Sequence, residues 1–468
     1  MKSKVNSNKS QKKIIPKTEN SLPIIYHDCA GIDIGSASHF VAVPSDRDEQ
    51  SVREFSSFTS DLHRMVEWLK KCKIKTVVME STGVFWIPVF EILEQNGFEV
   101  KLVNARHVKN VSAHKTDVLD CQWLQQLACF GLLKSAFRPE SDIVALRAYI
   151  RHRDNLIKCA GQHVQHMQKS LTQMNIQLHN VISDITGKTG MLIIRAIVAG
   201  NTDPKILASY RDGRCHKSEE VIMESLIGNY RDEHLFTLRQ ALELYDVYSD
   251  KIKQCDVTIL AQVNNLASKS NPSELEKKEG VLNEIQARSK RKLKKHEYPF
   301  EMKSELMRIA GVDLTLIPGI DISSALALIA EIGTDMSPWQ SAKHFASWLG
   351  LCPGNKVSGG KRLSGKTKPC ANRAAIILRL GANTLYNSDC ALGAFLRRMK
   401  MRLGSPKAIT ATGHKLAKQV YYALKYGREF IEKGAEHYEA IYREKREISL
   451  KRKAHQMGYE LVPIKKAA

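Results

Sequence analysis

Hydrophobic and polar positions follow two rhythms along the chain, and the change between them falls near residue 140. Residues 29–35 and 39–44 are short apolar runs with a polar interruption, and 52–58 is a looser mix carrying Val52, Phe55 and Phe58. Such runs predict three consecutive antiparallel strands. Residues 61–72 place Leu62, Met65, Val66 and Leu69 three and four apart, which predicts an amphipathic helix. Residues 76–79 predict a buried strand, 85–95 a helix stopped by Asn96-Gly97, and 100–103 a further strand. Thr116 before Asp117 is an N-cap signal for a helix over 116–130. The order β-β-β-α-β-α-β-α predicts an α/β domain, a mixed sheet with helices packed on it.

Beyond residue 143 the rhythm is helical. Leu146, Ile150, Leu156, Ile157, Val164, Met167, Leu171, Met174 and Leu178 recur at near-helical spacing, and a second such stretch runs over 233–266. A long amphipathic helix or coiled coil is the simplest account. Residues 268–298 are a mixed-charge run around Lys290-Arg291-Lys292, read as a linker or solvated face. Leu316-Ile317-Pro318-Gly319-Ile320 followed by a helix is like the hairpin of a helix-hairpin-helix element, and reads equally as an ordinary turn. Residues 353–373 form a Gly- and Lys-rich loop before a helix at 373–380. The C-terminal part is helical and basic, with Arg397, Arg398, Lys400 and Arg402 clustered. The expected divisions are a flexible basic arm (1–24), the α/β domain (25–140), a helical coiled-coil or dimerisation region (141–305), a mostly α domain (306–400) and a basic helical end (401–468).

Charge sharpens this picture. The 468 residues hold 71 Lys and Arg against 49 Asp and Glu, a formal net charge of +22. An excess of that size points to a polyanionic partner. The ten cysteines are scattered, without a Cys-x-x-Cys pair, so no zinc site is expected. The N-terminus is polar and lysine-rich rather than a secretory signal. Apolar stretches such as 191–199 are too short for a bilayer. The expectation is a cytoplasmic protein with no membrane partner.

Asp33 closes the first predicted strand and Glu80 the fourth, positions where ligand-facing side chains gather. Asp117 and Asp120 stand three apart at a helix start, on one face. Taken singly, capping explains Asp117 and a turn explains Asp33. Taken together, four carboxylates would repel unless cations neutralised them, and oxygen-rich sites suit Mg²⁺ or Mn²⁺. Ser358, in Val-Ser-Gly-Gly-Lys, is a candidate nucleophile beside cations or a turn serine, and Ser364 competes with it on chemistry alone. The strand and helix order is that of the ribonuclease-H-like nuclease fold. An actin-like phosphotransferase opens the same way with Gly31-Ile32-Asp33-Ile34-Gly35-Ser36, but its second Asp-Gly loop is not found.

A resemblance narrows these alternatives. Glu80-Ser81-Thr82-Gly83-Val84-Phe85-Trp86 with Pro88, Leu102-Val103-Asn104-Ala105-Arg106-His107-Val108-Lys109, and Lys115-Thr116-Asp117-Val118-Leu119-Asp120 resemble one family. Ile317-Pro318-Gly319-Ile320, Phe345-Ala346-Ser347-Trp348-Leu349-Gly350-Leu351 with Pro353, and Ser358-Gly359-Gly360-Lys361 agree. The family is the bacterial insertion-sequence transposases numbered one hundred and ten, most similar to the eleven-eleven subgroup. The resemblance implies a RuvC-like domain whose Asp-Glu-Asp-Asp metal site falls on Asp33, Glu80, Asp117 and Asp120. It implies a transposase domain whose catalytic serine falls on Ser358. It also implies Mg²⁺ (or Mn²⁺), donor and target DNA, a non-coding bridge RNA as guide, and a homo-oligomer, a dimer or a tetramer in the synaptic complex. Arg106, Lys109, Lys115, Lys361, Arg362, Lys366, Lys368 and Arg373 are the expected nucleic-acid contacts. A metal-dependent nuclease using water and a non-catalytic nucleic-acid scaffold stay as the rival readings.

Overall fold

The computed structural model describes residues 23–81, 83–103, 116–269, 295–299, 301–367, 369–370, 372–427 and 434–462. Residues 1–22 of the expected arm, the run around Lys290, and Arg106, Lys109, Lys115 and Lys368 lie outside them. The chain divides into two compact units, Met1–Arg138 and Pro139–Ala468.

The first unit holds β1 (Cys29–Ile34), β2 (Ser38–Ala42), β3 (Val52–Ser56), α1 (Thr59–Lys71), β4 (Thr76–Glu80), α2 (Trp86–Gln95), β5 (Glu99–Val103) and α3 (Asp117–Cys129). The expected order of elements is found, with ends shifted by at most two residues. The five strands form one sheet in the order β3-β2-β1-β4-β5. β1, β2 and β3 pair antiparallel, whereas β4 lies parallel to both β1 and β5. β1 is central, and its alternation builds two cores, because successive side chains point to opposite faces. Ala30, Ile32 and Ile34 join Met65, Leu69 and Leu93 of α1 and α2 on one face. Cys29, Val78 and Val103 meet Leu124, Ala128 and Cys129 of α3 on the other.

The second unit is mostly helical among the described residues. Its two longest helices are α4 (Ser141–Gln173) and α5 (Asp232–Asn265), of 33 and 34 residues, each about 50 Å long. They run antiparallel. Gln262 Nε2 donates to the Asp142 carbonyl at one end, and the Ser170 and Thr237 hydroxyls stand 2.9 Å apart near the other. Between them the Arg153 guanidinium and the Asp256 carboxylate form a buried ion pair. Arg153 also donates to the His296 carbonyl and lies 4.2 Å from the Tyr298 ring centroid. Shorter helices, among them Lys188–Val198 and Glu219–Ser225, close the far end of the pair over their own core, which includes Met167, Ile193, Ile222 and Leu238.

The rest comprises α6 (Met302–Ala310), α7 (Ile322–Ile332), α8 (Ala342–Trp348), β6 (Lys356–Ser358), β7 (Lys361–Ser364), α9 (Arg373–Thr384), α10 (Ala391–Leu403), α11 (Ser405–Tyr426) and α12 (Gly434–Gln456). Arg151 grips the Glu331 carboxylate with two hydrogen bonds of 2.9 and 2.7 Å, tying α7 to α4. Trp339, Phe345, Trp348 and Tyr421 pack ring against ring, and the buried Tyr421 hydroxyl donates to the Trp339 carbonyl. Where the sequence suggested a loop over 353–373, the chain forms a β-hairpin. Gly359 and Gly360 both take positive φ, +53° and +75°, the pair of values that a two-residue turn between twisted strands demands. No described helix is long and apolar enough to cross a membrane.

Candidate active site

The acidic site is built around one close approach. An added Cβ at Gly31 would stand 2.4 Å from both the Cys121 carbonyl oxygen and the Gln125 amide nitrogen. Glycine therefore lets α3 press its backbone onto β1, with Cys121 and Gln125 one helical turn apart. Two residues along β1 from this contact, on the same face, stands Asp33, roughly 7 Å on. One turn back along α3 from Cys121 stands Asp117, with Asp120 beside it. Glu80 comes from the neighbouring strand. Ile32 is paired with Met79 in the parallel register, so the next residues, Asp33 and Glu80, reach the same height on the same face.

Local capping fixes the helix start. The Thr116 side chain accepts from the Leu119 amide at 3.3 Å and the Asp120 amide donates to the Thr116 carbonyl. Two acids in the first turn also favour the positive end of the helix dipole.

The electrostatics join the four. The Asp33 carboxyl is pushed up to about 6, first by burial and then by the negative charges of Asp117, Asp120 and Glu80, against one favourable hydrogen bond from the Ile34 backbone. Among the described residues, no Lys or Arg side chain is one of the main influences on Asp33. Oxygen donors that crowd one another without a counter-charge suit a hard divalent cation. Among the described residues, no three such side chains already stand in a ligand shell. Asp117 and Asp120 are exposed in the first turn and are the members with room to move inward. Val84, Phe85, Val118 and Leu119 are exposed apolar residues beside the acids in sequence. The sequence reading singled out the four acids as candidates and missed Gly31, whose signal was a lone glycine inside a strand.

In the second unit, Ser358 ends β6, is exposed, and pairs across the hairpin with Lys361. The Ser364 hydroxyl accepts the Lys366 amide at 3.3 Å, a local turn bond, and Ser358 shows no such partner among the described residues. Val357 and Leu363 also face solvent, 60% and 68% exposed, so this hairpin takes little of its order from a core. Lys361 and Lys366 are exposed beside it. Arg373 is half-buried and stands 3.7 Å from the Asp154 carboxylate, so part of its charge is met within the fold. The backbone of Arg362 lies in β7.

A mixed sheet with carboxylates at the ends of two parallel neighbours and at the start of a covering helix defines a class, the ribonuclease-H-like enzymes that act on nucleic-acid phosphodiesters. Residues 30–176 match a family model for transposases of the IS110 DEDD type, and residues 313–388 match one described as Transposase IS116/IS110/IS902 family. Together these matches show an IS110-family transposase, a DNA transposase/recombinase enzyme. The N-terminal match implies a RuvC-like fold and a domain family that is typically metal-dependent, and the family implies DNA as substrate. No curated protein matches the chain.

Proposed function

We propose that this enzyme moves its insertion sequence by serine-based strand exchange, with Mg²⁺ (or Mn²⁺) at the acidic site and a non-coding bridge RNA choosing donor and target. The observation that carries the reading is the mutual repulsion of Asp33 with Asp117, Asp120 and Glu80, in a chain that also presents an exposed serine on a basic hairpin. Asp33, Glu80, Asp117 and Asp120 would hold the metal, which supplies charge neutralisation at the phosphorus oxygens and the leaving oxygen.

The chain's own groups do the rest. The Ser358 oxygen attacks the phosphorus of a DNA phosphodiester and loses its proton to solvent. A bond forms from serine oxygen to phosphorus, the bond from phosphorus to the 3′ oxygen breaks, and that oxygen takes up a proton. A hydroxyl from a second strand then attacks the phosphoserine, and the serine leaves as it came. Lys361, Arg362, Lys366 and Lys368 hold the backbone near the hairpin, and Arg106, Lys109, Lys115 and Arg373 serve as further contacts. Base pairing by the RNA supplies sequence choice while the protein supplies backbone contacts. The paired helices α4 and α5 serve dimerisation, and the work takes place in the cytoplasm.

The test is to trap the covalent intermediate. Denaturing gels of protein mixed with labelled element DNA should show an adduct that Ser358→Ala abolishes and Ser364→Ala retains. An adduct that survives in Ser358→Ala and vanishes in Ser364→Ala moves the nucleophile. Full cleavage by Ser358→Ala with no adduct in the wild type assigns the reaction to water.

A further inference from the structure

Asp389 is the one acidic residue between Arg373 and Tyr426, a segment rich in Lys and Arg. The cations that look most clustered in sequence are used inside the fold. Arg397 donates to the Tyr386 and Ser388 carbonyls. Arg398 pairs with Glu439 and packs on the Tyr438 and Tyr442 rings. Lys400 lies 3.9 Å from the Tyr386 ring centroid.

α11 behaves differently. Its 22 residues, about 33 Å of helix, contain no Asp or Glu. Ala408, Thr412, Leu416, Val420 and Leu424 are buried along one side. At 3.6 residues per turn, Lys407, His414, Lys415, Lys418 and Tyr422 share the opposite side. The Lys415 ammonium lies 3.9 Å from the Phe395 ring centroid and 5.4 Å from that of Tyr438. Burial holds Lys415 below its usual range, and the ammonium groups of Lys445 and Lys418 add to this. His414 is lowered by burial and by Lys418 and Lys415. No carboxylate among the described residues acts on either group.

Like charges held together without a counter-charge cost free energy unless a ligand supplies it. The same side carries ring faces. Tyr422 is 38% and Tyr426 53% exposed, and their rings stack at 6.2 Å and 26°. Lys425 is set apart, since it donates to the Tyr421 hydroxyl. Duplex phosphates would satisfy the cations alone. Cations with exposed aromatic faces beside them fit a strand whose bases are unpaired.

We propose that this side of α11 binds single-stranded DNA, with Lys407 and Lys418 holding phosphates and Tyr422 and Tyr426 stacking on bases, while Lys415, set against the Phe395 and Tyr438 rings, stays within the fold. The inference rests on the chain's being a DNA transposase, and the surface lies outside both matched segments, residues 30–176 and 313–388.

The experiment measures equilibrium binding of the full chain, in EDTA, to one labelled DNA sequence as single strand and as duplex, and to the same sequence as RNA. No strand is cut in EDTA, so the result stands apart from the chemistry of the acidic site. Tyr422→Ala should weaken single-strand binding about tenfold or more and leave the duplex nearly unchanged. Lys418→Gln should lower the slope of log affinity against log salt by about 0.7 on the single strand, and Lys418→Arg should restore it. Unchanged single-strand affinity in Tyr422→Ala overturns the proposal, and so does an equal loss on duplex. Tighter binding to RNA with the same dependence on Tyr422 assigns the face to RNA instead. A change of oligomeric state in Tyr422→Ala, with DNA binding intact, makes it a contact between copies of this chain and also overturns it.

Discussion

Replacing Gly31 by alanine tests whether the strand-to-helix contact sets the acidic site. The added methyl would stand 2.4 Å from the Cys121 carbonyl oxygen, 2.4 Å from the Gln125 amide nitrogen and 3.0 Å from the Gln125 Cα. Comfortable contact needs about 3.4 Å or more, so α3 must lift from β1 by roughly 1 Å. Forcing a packed contact apart in this way costs about 1–3 kcal/mol. For a unit of this size that lowers Tm by several degrees, roughly 3–10 °C. Asp117 and Asp120 travel with α3 while Asp33 stays with β1. A misplacement of about 1 Å in a catalytic set is worth on the order of 10²-fold in rate. The assay is excision of the element from a plasmid at saturating Mg²⁺, with Tm followed by circular dichroism. Because the obstacle is main chain, trimming a neighbour does not relieve it: Gly31→Ala with Gln125→Ala should stay as slow as Gly31→Ala alone. Wild-type excision by Gly31→Ala, or rescue by Gln125→Ala, would show that the contact does not place the acids.

Two further outcomes follow from the geometry. Asp33 is raised by burial and by its acidic neighbours, so its protonation stabilises the metal-free fold; that stabilisation is complete below about pH 4 and is lost as pH rises through about 6. Thermal melts in EDTA between pH 4 and 7 should show this slope, and Asp33→Asn or added Mg²⁺ should flatten it; a slope unchanged by either refutes the assignment. Asp256→Ala leaves the Arg153 guanidinium buried without its partner and should cost about 3–5 kcal/mol in denaturant unfolding. A loss below about 1 kcal/mol would mean that water reaches Arg153.

The α/β unit was legible because its strands carry alternating or continuous apolar runs and its helices carry stripes, so period alone separates them. The four acids stood out as candidates because each sits where an element ends or begins. The hairpin at Lys356–Ser364 was not, since strands of three and four residues are too short to show a period. Its Gly359-Gly360 pair was the available signal. Gly31 was read as part of an apolar run, although its missing side chain is what admits the helix. Arg397 and Arg398 read as part of a basic cluster, yet both are spent on carbonyls, a carboxylate and rings, because a charge pattern does not say which way a side chain turns. The row of cations opposite the buried side of α11 emerged only once that buried side was known.

The buried pair of Arg153 and Asp256 limits how this chain can change length over evolutionary time. The two long helices touch on both sides of that pair, as Ser170 with Thr237 and Asp142 with Gln262 show. An insertion in one helix alone would carry its half of the seam out of step and strand one charge in the interior. Matched insertions in both helices, placed between the ion pair and the small helical lobe, would lengthen the rod and leave each end intact. Relatives that differ in reach should therefore differ by equal lengths in the two helices, with the salt bridge as the fixed mark from which they are counted.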